Sequence, residues 1–174
     1  MDNTVGQINN FLVLRLTKEF AKKHIIALTA LANQIPLIKY TLDNIIAESK
    51  EERLFLKKWE HSLVVVHDNQ PIACLIAYER KAESNDQYPE NSIYISELAV
   101  DSRYQKQGIA KSLLHLFFKI NTSFRKLDGS IIYTVQTNAA PWNKHVRDLY
   151  ISFGFQPTGK KQYSNRTDMI FTKR

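Results

Sequence analysis

Residues 94–114 read YISELAVDSRYQKQGIAKSLL, and this stretch decides the fold because a strand leads through a basic, glycine-containing loop into an amphipathic helix. The run from Ile93 to Val100 is short, β-branched and aromatic, which predicts a strand. Apolar residues then recur at helical spacing, at Ile109, Leu113, Leu116, Phe117, Ile120 and Phe124. A helix start offers unpaired N–H groups and the positive end of the helix dipole. The loop at residues 105–110 is therefore predicted to bind a phosphate or pyrophosphate.

The spacing of glycine and lysine in this loop excludes two common phosphate-binding motifs. The nucleotide-triphosphate loop needs G-x-x-x-x-G-K-[ST] and the dinucleotide fingerprint needs G-x-G-x-x-G, and neither occurs in the chain. The loop instead matches [QR]-x-x-G-x-[GA], with Gln105 first, Gly108 fourth and Ala110 sixth. Together with the preceding strand, it resembles motif A of the GCN5-related N-acetyltransferases (GNAT superfamily), which cradles the pyrophosphate of acetyl-CoA.

A second stretch carries the same resemblance. Residues 143–155 read NKHVRDLYISFGF, which is similar to the N-x-x-A-x-x-L-Y-x-x-x-G-F signature of that superfamily. Val146 stands where the family usually has Ala, a change that removes no functional group. The resemblance thus covers residues 94–156, with motif A at 94–126 and the C-terminal motif at 141–156.

The order of predicted elements resembles the GNAT fold, an α/β fold with a central twisted mixed sheet and helices on both faces. A chain of 174 residues, 44% of them hydrophobic, is expected to form one domain spanning residues 1–174. The predicted strands are Phe11–Leu16, Leu63–Val66, Pro71–Tyr78, Ile93–Val100, Ser130–Thr137, Gln156–Tyr163 and Asp168–Thr172, and the predicted helices are Glu19–Asn33, Leu42–Trp59, the motif-A helix and Pro141–Phe153.

Composition narrows the classes of partner. The net charge is +7, but the lysines and arginines are dispersed along the chain without a long basic tract, which disfavours a nucleic-acid-binding domain. No apolar run approaches the length of about 18 residues that a membrane span needs, so a cytoplasmic protein without a membrane partner is expected. The single cysteine, Cys74, lies in an apolar run and is predicted to be a buried hydrophobe without chemistry.

The resemblance implies which residues bind acetyl-CoA. Backbone groups at the end of the motif-A strand would hydrogen-bond the pantetheine arm, and the loop with the first helical turn would hold the pyrophosphate. Asn143 would contact the pantetheine arm or help to form the cofactor wall. The full predicted set is Leu98, Ala99, Val100, Gln105, Lys106, Gln107, Gly108, Ile109, Ala110, Lys111 and Asn143, and no metal site is expected because the histidines lack ligand spacing.

Acetyl transfer to a primary amine presents two proton-transfer problems. The ammonium must first lose a proton, and a positioned carboxylate suits that task because the amine pKa in water is about 10.4. Glu97, inside the motif-A strand, is the candidate base, with Glu90 and His145 as substitutes. An ordinary strand carboxylate at a solvated or salt-bridged edge is an equally weighted reading of Glu97.

The second task is to protonate the departing CoA sulfur. By the resemblance, Tyr150 occupies the position of the general acid, and a phenol is still protonated at neutral pH. The alternative is a purely structural tyrosine, because apolar residues around it form a helical stripe that would pack into a core. That stripe comprises Trp142, Val146, Leu149, Tyr150 and Phe153.

Two other functions stay open from the sequence. A non-catalytic acyl-CoA-binding sensor or interaction module would keep the loop, and a basic nucleic-acid-binding domain would show steeply salt-dependent binding. The acceptor pocket, expected from residues 35–59 and 81–92, carries no recognisable signature, so the amine and the acyl-chain preference are not specified. Dimerisation is common in the superfamily, and a homodimer is possible here.

Overall fold

The computed structural model describes residues 3–35, 39–50, 53–82, 91–121 and 131–174. The chain divides into two compact units. Unit 1 comprises residues 1–78 and 97–123, and unit 2 comprises residues 79–96 and 124–174. The single domain predicted over residues 1–174 stays a prediction.

The elements follow one another in an order typical of a mixed α/β protein. In chain order they are β1 (Thr4–Ile8), β2 (Phe11–Arg15), α1 (Lys18–Lys23), α2 (Ile25–Ala32), α3 (Leu42–Ile46), β3 (Ser49–Lys50), β4 (Arg53–Leu54), α4 (Lys58–His61), β5 (Leu63–His67), β6 (Gln70–Arg80), β7 (Ser92–Val100), α5 (Ile109–Asn121), β8 (Tyr133–Asn138), α6 (Lys144–Ser152), β9 (Gln156–Gln162) and β10 (Thr167–Lys173). Of the strands in the described residues, those other than β3 and β4 belong to one mixed sheet flanked by helices. This confirms the predicted fold class.

In unit 1 the strand pairs β1–β2, β2–β5 and β5–β6 are antiparallel. The strand order in this part of the sheet is β1, β2, β5 and β6, followed by the second half of β7. The turn between β5 and β6 consists of Asp68 and Asn69, which both have positive φ angles of 47° and 63°. Two successive left-handed residues are the requirement of the tight hairpin turn whose twist matches the strands, and Asp and Asn tolerate this conformation.

The core of unit 1 lies between this part of the sheet and the first helices. Thr17 caps α1 by accepting a hydrogen bond from the Phe20 N–H. Buried apolar residues then pack together, and Cys74 is fully buried among them, as predicted. The cluster comprises Leu16, Ala21, Leu28, Leu31, Ala32, Ile45, Val64, Val66, Cys74, Ile76 and Ala99.

In unit 2 the sheet combines one parallel pair with two antiparallel pairs. β8 runs parallel to β7 over Ile93–Ile95, and it pairs on its other side with β10, which pairs with β9. α6 is followed, after Phe153, by the left-handed glycine Gly154, with a φ angle of 87°, which is a common way for a helix to end. The Lys173 Nζ atom donates to the Phe153 carbonyl 2.7 Å away and so satisfies the end of that helix.

The structure corrects one predicted helix and adds one strand. The helix predicted over Leu42–Trp59 is wrong: α3 stops at Ile46, and the short β3–β4 hairpin precedes α4. The helix predicted over Glu19–Asn33 is interrupted at His24. β1 was not predicted, because its residues Thr4–Ile8 are mostly polar or small and gain their pairing only from β2.

Some predicted elements extend beyond the described residues. Ser130 and Phe124 lie outside them, and so does most of the predicted loop at residues 81–92. Within the described parts of the chain, no helix is both long and apolar enough to cross a bilayer.

A buried hydrogen bond fastens the end of α5. The Asn121 side chain donates to the Phe117 carbonyl, 2.8 Å, and its oxygen lies 2.6 Å from Nδ1 of His61. Both side chains are fully buried. We predict that Asn121→Ala lowers the free energy of unfolding by about 2 to 3 kcal/mol, because it leaves the His61 nitrogen without this partner and opens a cavity.

Urea denaturation measures this change, and Lys119→Ala on the exposed face of the same helix is the control, with an expected change within about 0.5 kcal/mol. Equal losses in the two variants would contradict the role of the buried hydrogen bond.

Candidate active site

The loop between β7 and α5 has the backbone geometry of an anion site. Lys106 and Gly108 both have left-handed φ angles, 61° and 78°, and residues 105–108 are exposed. The Ser112 N–H bonds to the Gly108 carbonyl and closes the first helical turn, so the N–H groups of residues 109–111 precede the first intrahelical bond. Alternating left-handed residues at a helix start form a concave nest of N–H groups that attracts anions.

Gly108 leaves room for a ligand at this nest. A Cβ atom added at Gly108 would meet no atom within 4 Å, although the positive φ would strain it. The residue is therefore a glycine for its backbone conformation and not for lack of space. An open, exposed cradle with Lys106 and Lys111 beside it fits a pyrophosphate.

Side chains around the loop hold its shape. The Gln105 Nε2 atom donates to the Val100 carbonyl, 2.9 Å, and closes the loop onto the end of β7. The Arg103 guanidinium donates twice to the carboxylate of Asp101, at 3.0 and 2.8 Å, and holds the pKa of that carboxyl below its usual range. Arg103 therefore serves the loop fold, although it lies beside the predicted anion site.

The backbone of β7 presents alternate groups to its two edges. The Asp101 N–H donates to the Ile72 carbonyl on β6, at 2.8 Å. The Ala99 N–H donates to the thiol of Cys74, which also lies on β6. Because successive N–H groups of a strand point in opposite directions, those of Leu98 and Val100 point away from β6. Leu98, Ala99 and Val100 were predicted to meet the pantetheine arm. Of these, Leu98 and Val100 direct their N–H groups to the edge of β7 that faces away from β6, whereas the Ala99 N–H points towards β6.

Glu97 lies inside a buried cluster of unit 1. Its side chain is 7% exposed, so the solvated edge carboxylate considered from the sequence is wrong. The Tyr40 hydroxyl donates a hydrogen bond to the Glu97 carboxylate. Burial, followed by the negative charge of Glu97, raises the pKa of the Tyr40 phenol, so Tyr40 keeps the proton that it donates.

Lys58 places a positive charge in the same cluster. It is 3% exposed, and its Nζ atom donates to the carbonyls of Ile45, 2.8 Å, and Ala47, 2.6 Å. Burial lowers the pKa of Lys58 from 10.5 to about 8, while the negative charge of Glu97 acts in the opposite direction. The same burial, aided by Glu97, raises the pKa of Cys74 to about 12, so this thiol stays protonated.

In unit 2, Asn143 stands at the start of α6 and is nearly buried. Its side-chain nitrogen donates to the Asn138 carbonyl, 3.0 Å. Arg147 donates to the same carbonyl and to that of Ala140, both at 2.8 Å. The amide of Asn143 is thus oriented by the end of β8, and Arg147 fixes the connection between β8 and the helix.

Tyr150 is 2% exposed and meets the ring of Phe155 edge-on, with ring centres 5.4 Å apart. Tyr150 therefore does pack in the core, as the structural alternative predicted. Core packing does not hold for the whole predicted stripe, because Trp142 is 47% exposed. The two catalytic candidates lie in different units: Glu97 belongs to unit 1 and Tyr150 to unit 2.

The two substitute bases, Glu90 and His145, are not placed at the Glu97 cluster by any described contact. Glu90 lies outside the described residues, and His145 is exposed, with its Nδ1 atom 3.2 Å from the Trp142 carbonyl. Among the residues that the structure describes, no group of three or more His, Cys, Asp or Glu side chains could hold a metal ion.

Comparison with known proteins decides the family. The family model of the acetyltransferase (GNAT) domain matches residues 58–157, more than half of the chain, and includes both β7 with its loop and α6. The chain belongs to the GNAT acetyltransferase family. No curated protein matches its sequence.

Solved structures share the fold of this GNAT domain. Naa50 of Arabidopsis thaliana, in complex with the bisubstrate analogue CoA-Ac-MVNAL, is 17% identical with a TM-score of 0.67, covering 93% of this chain and 97% of that one. The ribosomal-protein-S18-alanine N-acetyltransferase of Escherichia coli is 16% identical with a TM-score of 0.62, covering 92% and 90%. A chain of the NatC complex bound to Gag peptide and CoA is 19% identical with a TM-score of 0.70, covering 93% and 96%.

Sequence reasoning missed three residues of this GNAT domain. Tyr40 precedes a short helix without any motif, and Lys58 belongs to a Lys-Lys pair that looks like solvated surface. Arg147 lies inside the second motif at a position that the motif leaves undefined. For Lys58 the sequence did contain an indication of burial. The Lys57-Lys58 pair is flanked by Phe55, Leu56 and Trp59, and a lysine among apolar residues can bury the aliphatic part of its side chain.

We predict that Lys58 makes the stability of this protein rise with pH between 8 and 9. Above pH 8 the folded chain has released the Lys58 proton, whereas the unfolded chain, with an ordinary lysine pKa of 10.5, still holds it. Unfolding then takes up a proton and is disfavoured as the pH rises. The expected gain is about 1 kcal/mol over that interval. Above pH 9 the raised pKa of Cys74 acts in the opposite direction.

The measurement is the urea unfolding free energy at pH 8 and pH 9 for the wild type, Lys58→Met and the exposed-site control Lys57→Met. The pH-dependent gain should be smaller by about 1 kcal/mol in Lys58→Met and retained in Lys57→Met. An equal gain in all three proteins would show that Lys58 is not the titrating group.

Proposed function

We propose that this protein is an N-acetyltransferase that transfers the acetyl group of acetyl-CoA to a primary amine by direct attack in a ternary complex. The observation that carries the proposal is the exposed, left-handed loop at residues 105–108 before α5, in a chain that belongs to the GNAT family. Acetyl-CoA supplies an activated thioester, and the remaining chemistry is positioning, charge stabilisation and proton transfer.

The loop and the end of β7 would bind the cofactor. Backbone N–H groups of residues 105–111 hold the pyrophosphate, with Lys106 and Lys111 adding positive charge. The N–H groups of Leu98 and Val100, on the edge of β7 away from β6, bond the pantetheine arm. One of these N–H groups also polarises the thioester carbonyl, a contribution of up to about 3 kcal/mol. Asn143 is proposed as a further contact to the cofactor.

Glu97 would take the proton of the acceptor ammonium, directly or through a water molecule, and leave a neutral nucleophilic amine. Tyr150 would give its phenolic proton to the departing CoA sulfur. Each of the two groups is buried within its own unit, and burial suits proton transfer away from bulk water. As the C–S bond breaks and the amide forms, the attacking nitrogen loses its remaining extra proton to solvent. The Glu97 carboxyl then releases its proton to solvent, and the Tyr150 phenolate takes one up.

The first test is calorimetric titration of acetyl-CoA and of CoA into the wild type, Gly108→Ala and Gly108→Glu. Both variants strain the left-handed backbone, by about 1 kcal/mol, but only Gly108→Glu adds a negative charge to the cradle. We predict binding to Gly108→Ala within about tenfold of the wild type and binding to Gly108→Glu weakened at least about a hundredfold.

The pair of variants separates backbone strain from charge. Equal binding by Gly108→Glu and Gly108→Ala would show that the loop does not hold the phosphates. No binding by the folded wild-type protein would refute the cofactor assignment altogether.

The acceptor panel should contain both small amines and peptides. The similar structures include proteins solved with a peptide-containing analogue, named for a ribosomal-protein alanine, or bound to a Gag peptide. Peptides with a free N-terminus are therefore tested beside polyamines, aminoglycosides and lysine.

With an active acceptor in hand, Glu97→Gln and Tyr150→Phe are each predicted to lower kcat by about a hundredfold at pH 7.5, with the KM for acetyl-CoA nearly unchanged. The loss in Glu97→Gln should shrink towards pH 10, because the amine then loses its proton without help. Steady-state kinetics over that pH range is the measurement. A loss in Glu97→Gln that is independent of pH would show that this carboxylate is not the base.

A non-catalytic acyl-CoA-binding module is the second candidate. It is favoured by the burial of Glu97 and Tyr150, each of which also has packing or hydrogen-bond partners of a structural kind. Tight CoA binding without turnover on the whole acceptor panel would support it, and turnover with any amine would exclude it.

A further inference from the structure

The segment from residue 39 to residue 47, here called the Tyr40 segment, is fastened at its start to α2. The Asn33 side chain donates to the Tyr40 carbonyl, 3.1 Å, and accepts from the Tyr40 N–H at 2.7 Å. The Tyr40 ring packs against the apolar core of unit 1. Two hydrogen bonds from one amide fix both the position and the rotation of this peptide, so the Tyr40 hydroxyl is directed to a defined place.

Lys58 fastens the other end of the Tyr40 segment. Its Nζ atom bonds the carbonyls of Ile45 and Ala47 at the end of α3, where a cation also complements the helix dipole. The ammonium lies 5.0 Å from the ring centre of Trp59 and 5.6 Å from that of Phe55. These contacts compensate the burial of the charge.

Both ends of the Tyr40 segment are thus held by hydrogen bonds, and Tyr40 and Lys58 both interact with Glu97. The Tyr40 hydroxyl donates to the Glu97 carboxylate, and Lys58 and Glu97 attract each other. A carboxylate that is 7% exposed loses most of its hydration, and desolvation favours its neutral form. A hydrogen-bond donor and a nearby cation both favour the ionised form. Tyr40 and Lys58 therefore provide a hydrogen bond and a positive charge in place of the hydration that the buried carboxylate has lost.

We propose that Tyr40 and Lys58 are positioning residues for the base Glu97: Tyr40 orients the carboxylate and keeps it ionised, and Lys58 holds the Tyr40 segment in place and adds a neighbouring positive charge. This inference rests on the proposed function, because it assigns partners to the proposed base. An ionised carboxylate in a fixed rotamer is what the acceptor ammonium requires, since a protonated one could not accept its proton.

Other titratable groups act on Tyr40, Lys58 or Glu97. Cys74 and Tyr78 on β6 add to the raised pKa of Tyr40, and Glu48 adds to the attraction on Lys58. Glu48 is itself bound to Lys18 and to the indole nitrogen of Trp59. Tyr40 acts on Glu97 by donating a hydrogen bond, and Lys58 acts on it by presenting a positive charge.

The first experiment does not depend on turnover. The protein is labelled with ¹³C at the side-chain carboxyl of glutamate, and the Glu97 signal is assigned by its loss in Glu97→Gln. NMR titration then gives the midpoint of Glu97 in the wild type, Tyr40→Phe, Lys58→Met and the control Lys57→Met. We expect the midpoint to rise by about one pH unit in Tyr40→Phe and in Lys58→Met, and to stay unchanged in Lys57→Met.

Tyr40→Phe keeps the ring in the core, so it tests the hydroxyl even where Lys58→Met loosens the segment. A midpoint that moves in neither variant overturns the proposal. A midpoint that moves equally in Lys57→Met also overturns it, because a general loss of charge would then explain the shift.

The second experiment is a double-mutant cycle on kcat. Tyr40→Phe is expected to lower kcat about tenfold with the KM for acetyl-CoA unchanged, and to cause no further loss in the Glu97→Gln background, because both changes remove one function. Losses that multiply in the double variant overturn the positioning role. Full activity of Glu97→Gln refutes the base in the proposed function, whereas an unmoved NMR midpoint refutes the positioning, so the two failures are distinguishable.

Discussion

The burial of one carboxylate, that of Glu97 on β7, is the constraint on which the arrangement of unit 1 depends. A carboxylate taken out of water costs several kcal/mol unless it is hydrogen-bonded and neutralised. The chain meets that cost with groups from separate elements: the Tyr40 hydroxyl before α3 and the Lys58 ammonium at the start of α4. The residues just before α3 and the start of α4 are therefore tied to β7 by polar contacts as well as by apolar packing.

The same pairing explains why the region between α2 and β5 is irregular. Lys58 reaches back to the carbonyls of Ile45 and Ala47, which requires the chain to reverse between α3 and α4. A continuous helix over these residues would hold the lysine and those two carbonyls along a single axis, well apart. The hydrogen-bond requirement of a buried ammonium thus outweighs the helical propensity of the segment, which lies near the core but contributes only Ile45 to its buried cluster.

At the end of β7 the main constraint is the backbone conformation of the loop, and not the burial of a charge. The loop adopts left-handed conformations at Lys106 and Gly108, and a non-glycine residue there costs about 1 to 2 kcal/mol. Side-chain hydrogen bonds stabilise this conformation: one from Gln105 to the Val100 carbonyl and two from Arg103 to Asp101. A loop that is strained and still exposed is typical of a site preorganised for a ligand, here an anion.

Much of the fold could be predicted from the sequence. The strands β5 to β10, the helices α5 and α6, and the turns at Asp68–Asn69 and Gly154 follow from local patterns, because alternation, helical spacing and left-handed residues are properties of adjacent positions. Prediction failed for β1 and, among the described residues, for 47–50 and 53–57. β1 depends on pairing with β2, and the β3–β4 hairpin lies in a segment whose course depends on Lys58. Neither contact is visible in a local window.

For the candidate site, the sequence by itself determined the family and predicted the anion loop. Such a loop can be predicted because a phosphate nest is made from consecutive backbone groups and needs only Gln105, Gly108 and their neighbours in order. The sequence also placed Glu97 on β7 and Tyr150 on α6. Only the tertiary structure decided that Glu97 is buried and that Tyr40 and Lys58 meet it, since these residues are separated by up to 57 positions along the chain. Burial and charge pairing are set by which distant segments pack together, and that information is spread over the whole core.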